Sequence, residues 1–350
     1  MTDTADRADP IAGVEDRLRE VGKVVRRAML DAIPDGEPVR WLYAPMRDYP
    51  SRAGKALRPA LCLSTGRAFG GETEDLLGVA TAIEMMHNAF LVHDDVADGS
   101  EMRRGRPTLS ATHGTAAALN AGDGLAVIAG QVLRRATRRF DQDLSDQVWA
   151  EFDMMALRTL EGQATEAGWQ LDDVQDLGPS NYLELIMHKT CWYTTIHPLR
   201  VGAIVGSRGT ADAAPLVRFG FHFGAAFQIR DDLLNLVGTE RTYGKEILGD
   251  IYEGKRTLPL MHLMSNASGS DFALVRDYLG RTRDERTPEL VAKIRALMDD
   301  YGSITFAGEY AEGILLVAEE YFEEAFADAA PGPDLDFLRA LVPYVWARWR

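Results

Sequence analysis

Hydrophobic residues in this chain recur every third or fourth position, and the strict alternation that marks a strand is scarce. The pattern predicts amphipathic helices over Ile11–Ile33, Thr115–Phe140, Asp146–Gly168, Tyr182–Ile204 and Pro215–Val237. It predicts shorter ones over Arg256–Met264, Pro288–Tyr301 and Ala307–Ala327. Asp75–Val92 is rich in Ala, Met and Leu and reads as a buried helix running into a group of aspartates. Breaks bearing proline and glycine near Asp35, Pro179, Ser268 and Pro331 separate these segments. There is no fixed-period repeat and no low-complexity linker. The expectation is an all-α fold of about ten or more helices, with a single domain over 11–350 and disorder in 1–10.

Composition narrows the setting. A chain of 350 residues that is 46% hydrophobic and 26% charged is globular. Its net charge of −15 argues against nonspecific binding to nucleic acid or an anionic membrane. No apolar run approaches the ~20 residues needed to span a bilayer. The polar start MTDTADRADP does not resemble a secretory or transit signal. Cys62 and Cys191 lie in apolar segments and read as buried free thiols. A cytoplasmic protein without stable membrane insertion is expected. An acidic chain that binds a polyanion must gather its cations locally or recruit divalent metal, so each local basic group is informative.

The segment HDDVADGSEMRRGRPT, His93 to Thr108, is one such place. On a helix Asp94 and Asp98 stand one turn apart on one face, and Asp95 is offset to orient its neighbours. Such a pair repels unless a cation sits between, and hard oxygens beside a diphosphate suit Mg²⁺. Arg103 and Arg104 follow, and adjacent residues in regular structure address two different anions, each through a fork matched to phosphate. A second copy of the pattern, Asp172, Asp173 and Asp176, has neither an apolar helix before it nor an arginine pair after it, and reads as a solvated loop. A third acidic group, Asp231 and Asp232, follows an apolar stretch, with Gln228 three residues before and Asn235 four residues after Asp231. Lys189 and Thr190 interrupt an apolar helix, and a lysine there needs a partner, either an internal ion pair or an anionic ligand. Lys245 and Lys255 sit among glycines. Lys55 and Arg58 share a helical face, and His87 lies two turns before Asp94 on the same face.

Together these segments, from Arg52 to Leu260, resemble the trans-isoprenyl diphosphate synthase (polyprenyl synthetase) family, whose motifs they match in order. The resemblance implies a bundle of mostly antiparallel helices around a central cavity, and a homodimer. It implies Mg²⁺, about three ions per site, and condensation of isopentenyl diphosphate with an allylic diphosphate. By resemblance Asp94, Asp98 and Asp231 are the metal ligands, supported by Asp95 and Asp232. Arg103, Lys189, Lys245 and Lys255 match the allylic diphosphate site. Lys55, Arg58, His87 and Arg104 match the isopentenyl diphosphate site. Thr190 and Gln228 match groups near the reacting carbons. The chain departs from the pattern at Ala56, where a basic residue is usual, and at Asn235, where Asp is common.

If Asp94 anchors the diphosphate, the growing tail runs back along its helix, one isoprene unit per turn of ~5.4 Å. Phe90, Met86 and Ile83 are then successive floors, with Ala89 leaving room beside Phe90. That arrangement predicts a C20 product, with C15 next. The alternatives are a class I terpene cyclase on the same scaffold, or a non-catalytic subunit of a heteromeric synthase. Lys55, Arg58, His87 and Arg104 favour elongation over cyclisation, and the intact acids speak against the inactive subunit.

Overall fold

The computed structural model describes residues 10–238 and 246–347. The expected disorder of 1–10 falls almost wholly outside them, and Lys245 lies outside them too. The described chain is helical: α1 (Pro10–Ala32), α2 (Ala44–Ser51), α3 (Leu57–Ala68), α4 (Thr73–Ala97), then α5 (Leu109–His113), α6 (Thr115–Thr137) and α7 (Gln142–Leu171). Next come α8 (Pro179–Ile186), a π-helical stretch (Met187–Ile196), α9 (His197–Gly206) and α10 (Pro215–Val237). The chain closes with α11 (Gly249–Glu253), α12 (Leu258–Asn266), α13 (Gly269–Leu279), α14 (Pro288–Asp300), α15 (Ser303–Ala325) and α16 (Pro333–Ala347). Among the described residues the one sheet is a two-stranded ribbon, β1 (Met102–Arg103) against β2 (Arg106–Pro107).

The periodicity located most of these helices within a few residues. The helix expected to carry Asp94 and Asp98 does run on past Val92, through Asp94 and Asp95, and is capped by Asp98. α2, α5, α11, α13, α16 and the ribbon went unpredicted, being short or broken by Pro50 and Pro343.

α4 and α6 form the central pair. A Cβ on Gly78 would strike Ala136, and one on Gly122 would strike His93, so early residues of α4 face late residues of α6 and the helices are antiparallel and close. Buried Ala80, Ala82 and Ala89 on α4, and Ala118, Ala121 and Ala129 on α6, leave the room for that approach. The same small residues make both helices long and apolar enough to cross a membrane by length and composition, against the sequence expectation. The apolar window of α4 is 72% buried, as befits a core helix, whereas that of α6 is only 44% buried and leaves one face open.

The π-helical stretch has a local cause. Pro198 carries no amide hydrogen for the Thr194 carbonyl, and upstream of it the register widens, His197 N–H donating to the Trp192 carbonyl five residues back. Thr195 Oγ1 reinforces the bend by donating to the carbonyls of Cys191 (3.0 Å) and Gly220 (2.6 Å). Cys191 and Cys62 are buried free thiols.

His197 is fully buried, edge-on to Phe152, and burial lowers its pKa to about 4. The unfolded chain therefore binds a proton that the folded one refuses between about pH 6.5 and 4. Stability falls as pH drops through that window, by about 2–3 kcal/mol from this residue. In urea unfolding at pH 6.5 and 4.5, His197→Gln, which cannot titrate, should lose less stability than the parent by about that amount.

Candidate active site

The aspartate end of α4 opens on a cleft, with α10 on the opposite wall. Asp94 lines it from α4 and Asp231 and Asp232 from α10, with Lys189 and Thr190 from the π-helical stretch, Gln228, Arg103 and Lys255. The two acidic faces expected from the sequence thus share one cavity.

Like charges cannot gather here without compensation, and lysines supply it. Lys189 Nζ lies 3.2 Å from Asp94 Oδ1 and donates to Glu166 Oε2 from α7. Burial opposes the Lys189 charge, but Asp94 and Glu166 outweigh it and hold its pKa above the usual value. Lys255 Nζ donates to Asp98 Oδ2 at 2.6 Å and lies 2.8 Å from Glu253 Oε2. Asp98 is nevertheless pushed up to about 7, by burial first and by nearby Asp94 second.

Asp95 points into the protein. It accepts from the Tyr49 hydroxyl and from Arg103, whose Nε lies 2.8 Å from Oδ1. Asp232 likewise accepts from Tyr182 (2.7 Å) and Gln228 (2.7 Å), and burial raises its pKa to about 7. Both behave as braces for the exposed partner beside them. Asn235 is buried at 2% exposure, donates to the Glu246 carbonyl and accepts from the Asp250 amide. Its role is to hold the chain entering α11.

The adjacent arginines part company as expected. Arg103 ends β1, and the ribbon reverses through Arg104 and Gly105, which take φ of +53° and +70°, before β2 begins at Arg106. Arg103 turns to Asp94 and Asp95; Arg104 turns the other way, into a pocket with Glu84, Asn88 and Arg52. Arg52, unpredicted, holds the ribbon in place, donating to the carbonyls of Arg103 (2.7 Å) and Pro107 (2.6 Å) and to Asp48.

Arg58 lies over the Tyr193 ring at 4.4 Å and donates to Thr194 Oγ1 at 2.8 Å. His87 stacks on the same ring, and burial together with Arg58 and Arg104 holds its pKa well below normal. Arg58, His87 and Arg104 thus share one neighbourhood. Lys55 does not join them: its Nζ reaches toward Asp231, 3.9 Å away, and lies over Phe227. Phe90 meets Tyr193 edge-on at 5.6 Å, while Ala89 and Met86 are buried further in. The apolar wall lining the cleft itself comes from Leu91, Leu185 and Ile186.

One sequence reading gains a residue and another needs correction. Among the described residues, the carboxylates that approach within 4.8 Å of one another are Asp94, Asp98 and Glu166; Asp231 stands across the cleft, outside that set. Three hard anionic oxygens so close fit a divalent cation such as Mg²⁺. Glu166 carried a faint signal, Gly162 one turn earlier, where a Cβ would lie 2.5 Å from Lys189 Cα. Only that close approach brings Glu166 to Lys189, and it shows only once α7 meets the π-helical stretch. The loop at Asp173 is not simply solvated: its carboxylate pairs with the buried Arg256 at 3.0 Å.

Comparison with known proteins agrees with this geometry. Residues 39–298 match the family model for polyprenyl synthetase. A short chain isoprenyl diphosphate synthase of Methanothermobacter thermautotrophicus is 32% identical over 310 residues, covering 89% of this chain and 92% of the relative. An octaprenyl diphosphate synthase of Haemophilus influenzae is 31% identical over 73% of each chain. The crystal structure of a geranylgeranyl pyrophosphate synthetase from Pyrococcus horikoshii superposes with a TM-score of 0.83 at 30% identity, over 96% of this chain and 99% of that one. A match over most of the chain, on an all-α scaffold whose acidic helix ends face one cleft, places this protein in the polyprenyl synthetase family, as a prenyltransferase of the prenyl diphosphate synthase class.

Proposed function

We propose that the protein catalyses the Mg²⁺-dependent head-to-tail (1'-4) condensation of isopentenyl diphosphate with allylic diphosphates, giving an all-trans product of C20 length. The observation that carries this reading is the pair of cation groups on either side of the ribbon: Arg103, Lys189 and Lys255 at the acidic cleft, and Arg104 and Arg58 around His87. Two anion sites suit two diphosphate substrates, where a cyclase needs one. Asp94, Asp98 and Glu166, with Asp231 opposite, would hold the metal, which when bound supplies positive charge against a leaving pyrophosphate.

The residues of the chain do the remainder. Lys189, Lys255 and Arg103 bind the allylic diphosphate and stabilise the charge that gathers on it as the C–O bond breaks. Leu91, Leu185 and Ile186 keep water from the allylic cation left behind. Arg58 and Arg104 hold the second diphosphate so that its double bond attacks that carbon; the proton then lost passes to the departing pyrophosphate. Thr190 and Gln228 line the space where the carbons meet.

Support for C20 comes from the synthetase of P. horikoshii, named for that product, and from Phe90 braced by Tyr193. The relatives' names range from farnesyl to nonaprenyl, so family membership alone does not fix the length, and the reading assigns it to the residues behind Asp94. A homodimer and a cytoplasmic location belong to the same reading. α6 and α7 turn Val127, Leu157 and Leu160 outward, each more than half exposed, and a second copy would cover them.

Turnover of labelled isopentenyl diphosphate with primers from C5 to C15 should give C20 and stop in EDTA; hydrocarbon from an allylic diphosphate alone, or no turnover, would reject the reading. Phe90→Ala should lengthen the main product by at least one isoprene unit, read by product sizing. Glu166→Gln should weaken Mn²⁺ binding in solution by about 10–100-fold and lower kcat in step. Leu157→Glu should convert a dimer to a monomer in light scattering.

A further inference from the structure

The second run of paired aspartates, Asp172 to Asp176, lends no carboxylate to the cleft, yet it is bound to it through Arg256. The Arg256 side chain is 4% exposed and joins two segments. Its Nη1 donates to the Gly254 carbonyl at 2.7 Å, within the loop that carries Lys255. Its Nε donates to the Val174 carbonyl at 3.3 Å and Nη2 to Asp173 Oδ1 at 3.0 Å, both in the turn leaving α7. Asp173 meets it from a left-handed backbone, φ +48°, which aspartate tolerates better than most residues, and its other oxygen accepts from Gln175.

Each end of this link leads to a group at the cleft. Val174 N–H closes on the Trp169 carbonyl, one turn beyond Glu166, which accepts from Lys189. Gly254 and Arg256 flank Lys255, which bonds Asp98. The Lys255 loop has no regular structure after α11 and turns at Gly254, φ +69°, where any Cβ would collide with Arg286. Its backbone closes on α11 through the Lys255 N–H and the Asp250 carbonyl (2.9 Å), and its tie to the turn leaving α7 is made by the Arg256 side chain.

We infer that Asp173 and Arg256 are positioning residues that hold the Lys255 loop in register with Glu166 and Lys189, and so set affinity for the allylic diphosphate. The inference rests on the reading above that these lysines bind that diphosphate. Asp173 lies outside the cleft lining, and the Arg256 guanidinium is taken up by the two segments it joins. Asp173 is partly open to solvent, which moderates the effect of the pair.

Asp173→Asn tests this while keeping a residue that accepts the left-handed backbone. With the intact protein and Mg²⁺, calorimetric binding of pyrophosphate should weaken about fivefold, and the KM for geranyl diphosphate should rise similarly. The KM for isopentenyl diphosphate should stay within about twofold, and Asp172→Asn, an exposed neighbour, should leave all three quantities unchanged. Arg256→Lys should behave like Asp173→Asn, since one ammonium cannot reach three acceptors. Unchanged pyrophosphate affinity in Asp173→Asn overturns the inference. So does an equal rise in both KM values with a lowered melting temperature, which would mark general loosening. A parent protein that neither binds pyrophosphate nor turns over removes the underlying reading as well, whereas a normal parent beside an unaffected variant removes the latch alone.

Discussion

Everything at this site depends on keeping carboxylates together in a place where water screens them only in part. Asp94, Asp98 and Glu166 come within 4.8 Å, and two lysine ammonium groups stand among them. A carboxylate buried without such a neighbour would take up a proton. Asp98 is already pushed to about 7 with Lys255 in contact. The lysines have to be delivered as accurately as the acids, and much of the fold around the cleft can be understood as delivery. The small residues of the α4–α6 seam fix the depth of α4, Gly162 lets α7 reach the π-helical stretch, and Pro198 widens that stretch where Lys189 and Thr190 emerge.

The same demand explains the division of labour within each acidic pair. Asp94 and Asp231 face the cleft, while Asp95 and Asp232 face inward and are saturated by Tyr49 and Arg103, or by Tyr182 and Gln228. Consecutive residues on a helix point about 100° apart, so a DD pair supplies one outward group and one anchor. The anchor fixes the backbone on which the outward group rides.

The helices and the acidic clusters were readable because both are local patterns, of period 3.6 or of neighbours in sequence. Residues whose role depends on a partner far along the chain were not. Glu166 meets Lys189 only through the Gly162 contact, and Arg52 reaches the ribbon across more than fifty residues. Lys55 shares a face with Arg58 on paper, yet Ala56 between them takes φ +52°, the left-handed start of α3, and the two side chains go to different walls. Asp173 was misread for a related reason: its partner Arg256 lies 83 positions later. Tyr193, which braces both His87 and Phe90, is presented by a widened helical turn that a regular period does not anticipate.

The ribbon of Met102 to Pro107 has a consequence for how such a chain can vary. Arg103 ends β1 and Arg104 opens the two-residue reversal in a left-handed backbone, and that change of conformation sends the two guanidinium groups to opposite pockets. Loops elsewhere can lengthen at small entropic cost. One residue added to this reversal would break the pairing of Arg103 with Arg106 and move Arg104 off its left-handed position. The distance between the two anion sites is thus encoded in a strand register and not in the identity of any side chain, and drift by insertion is closed to this segment even where drift by substitution is open.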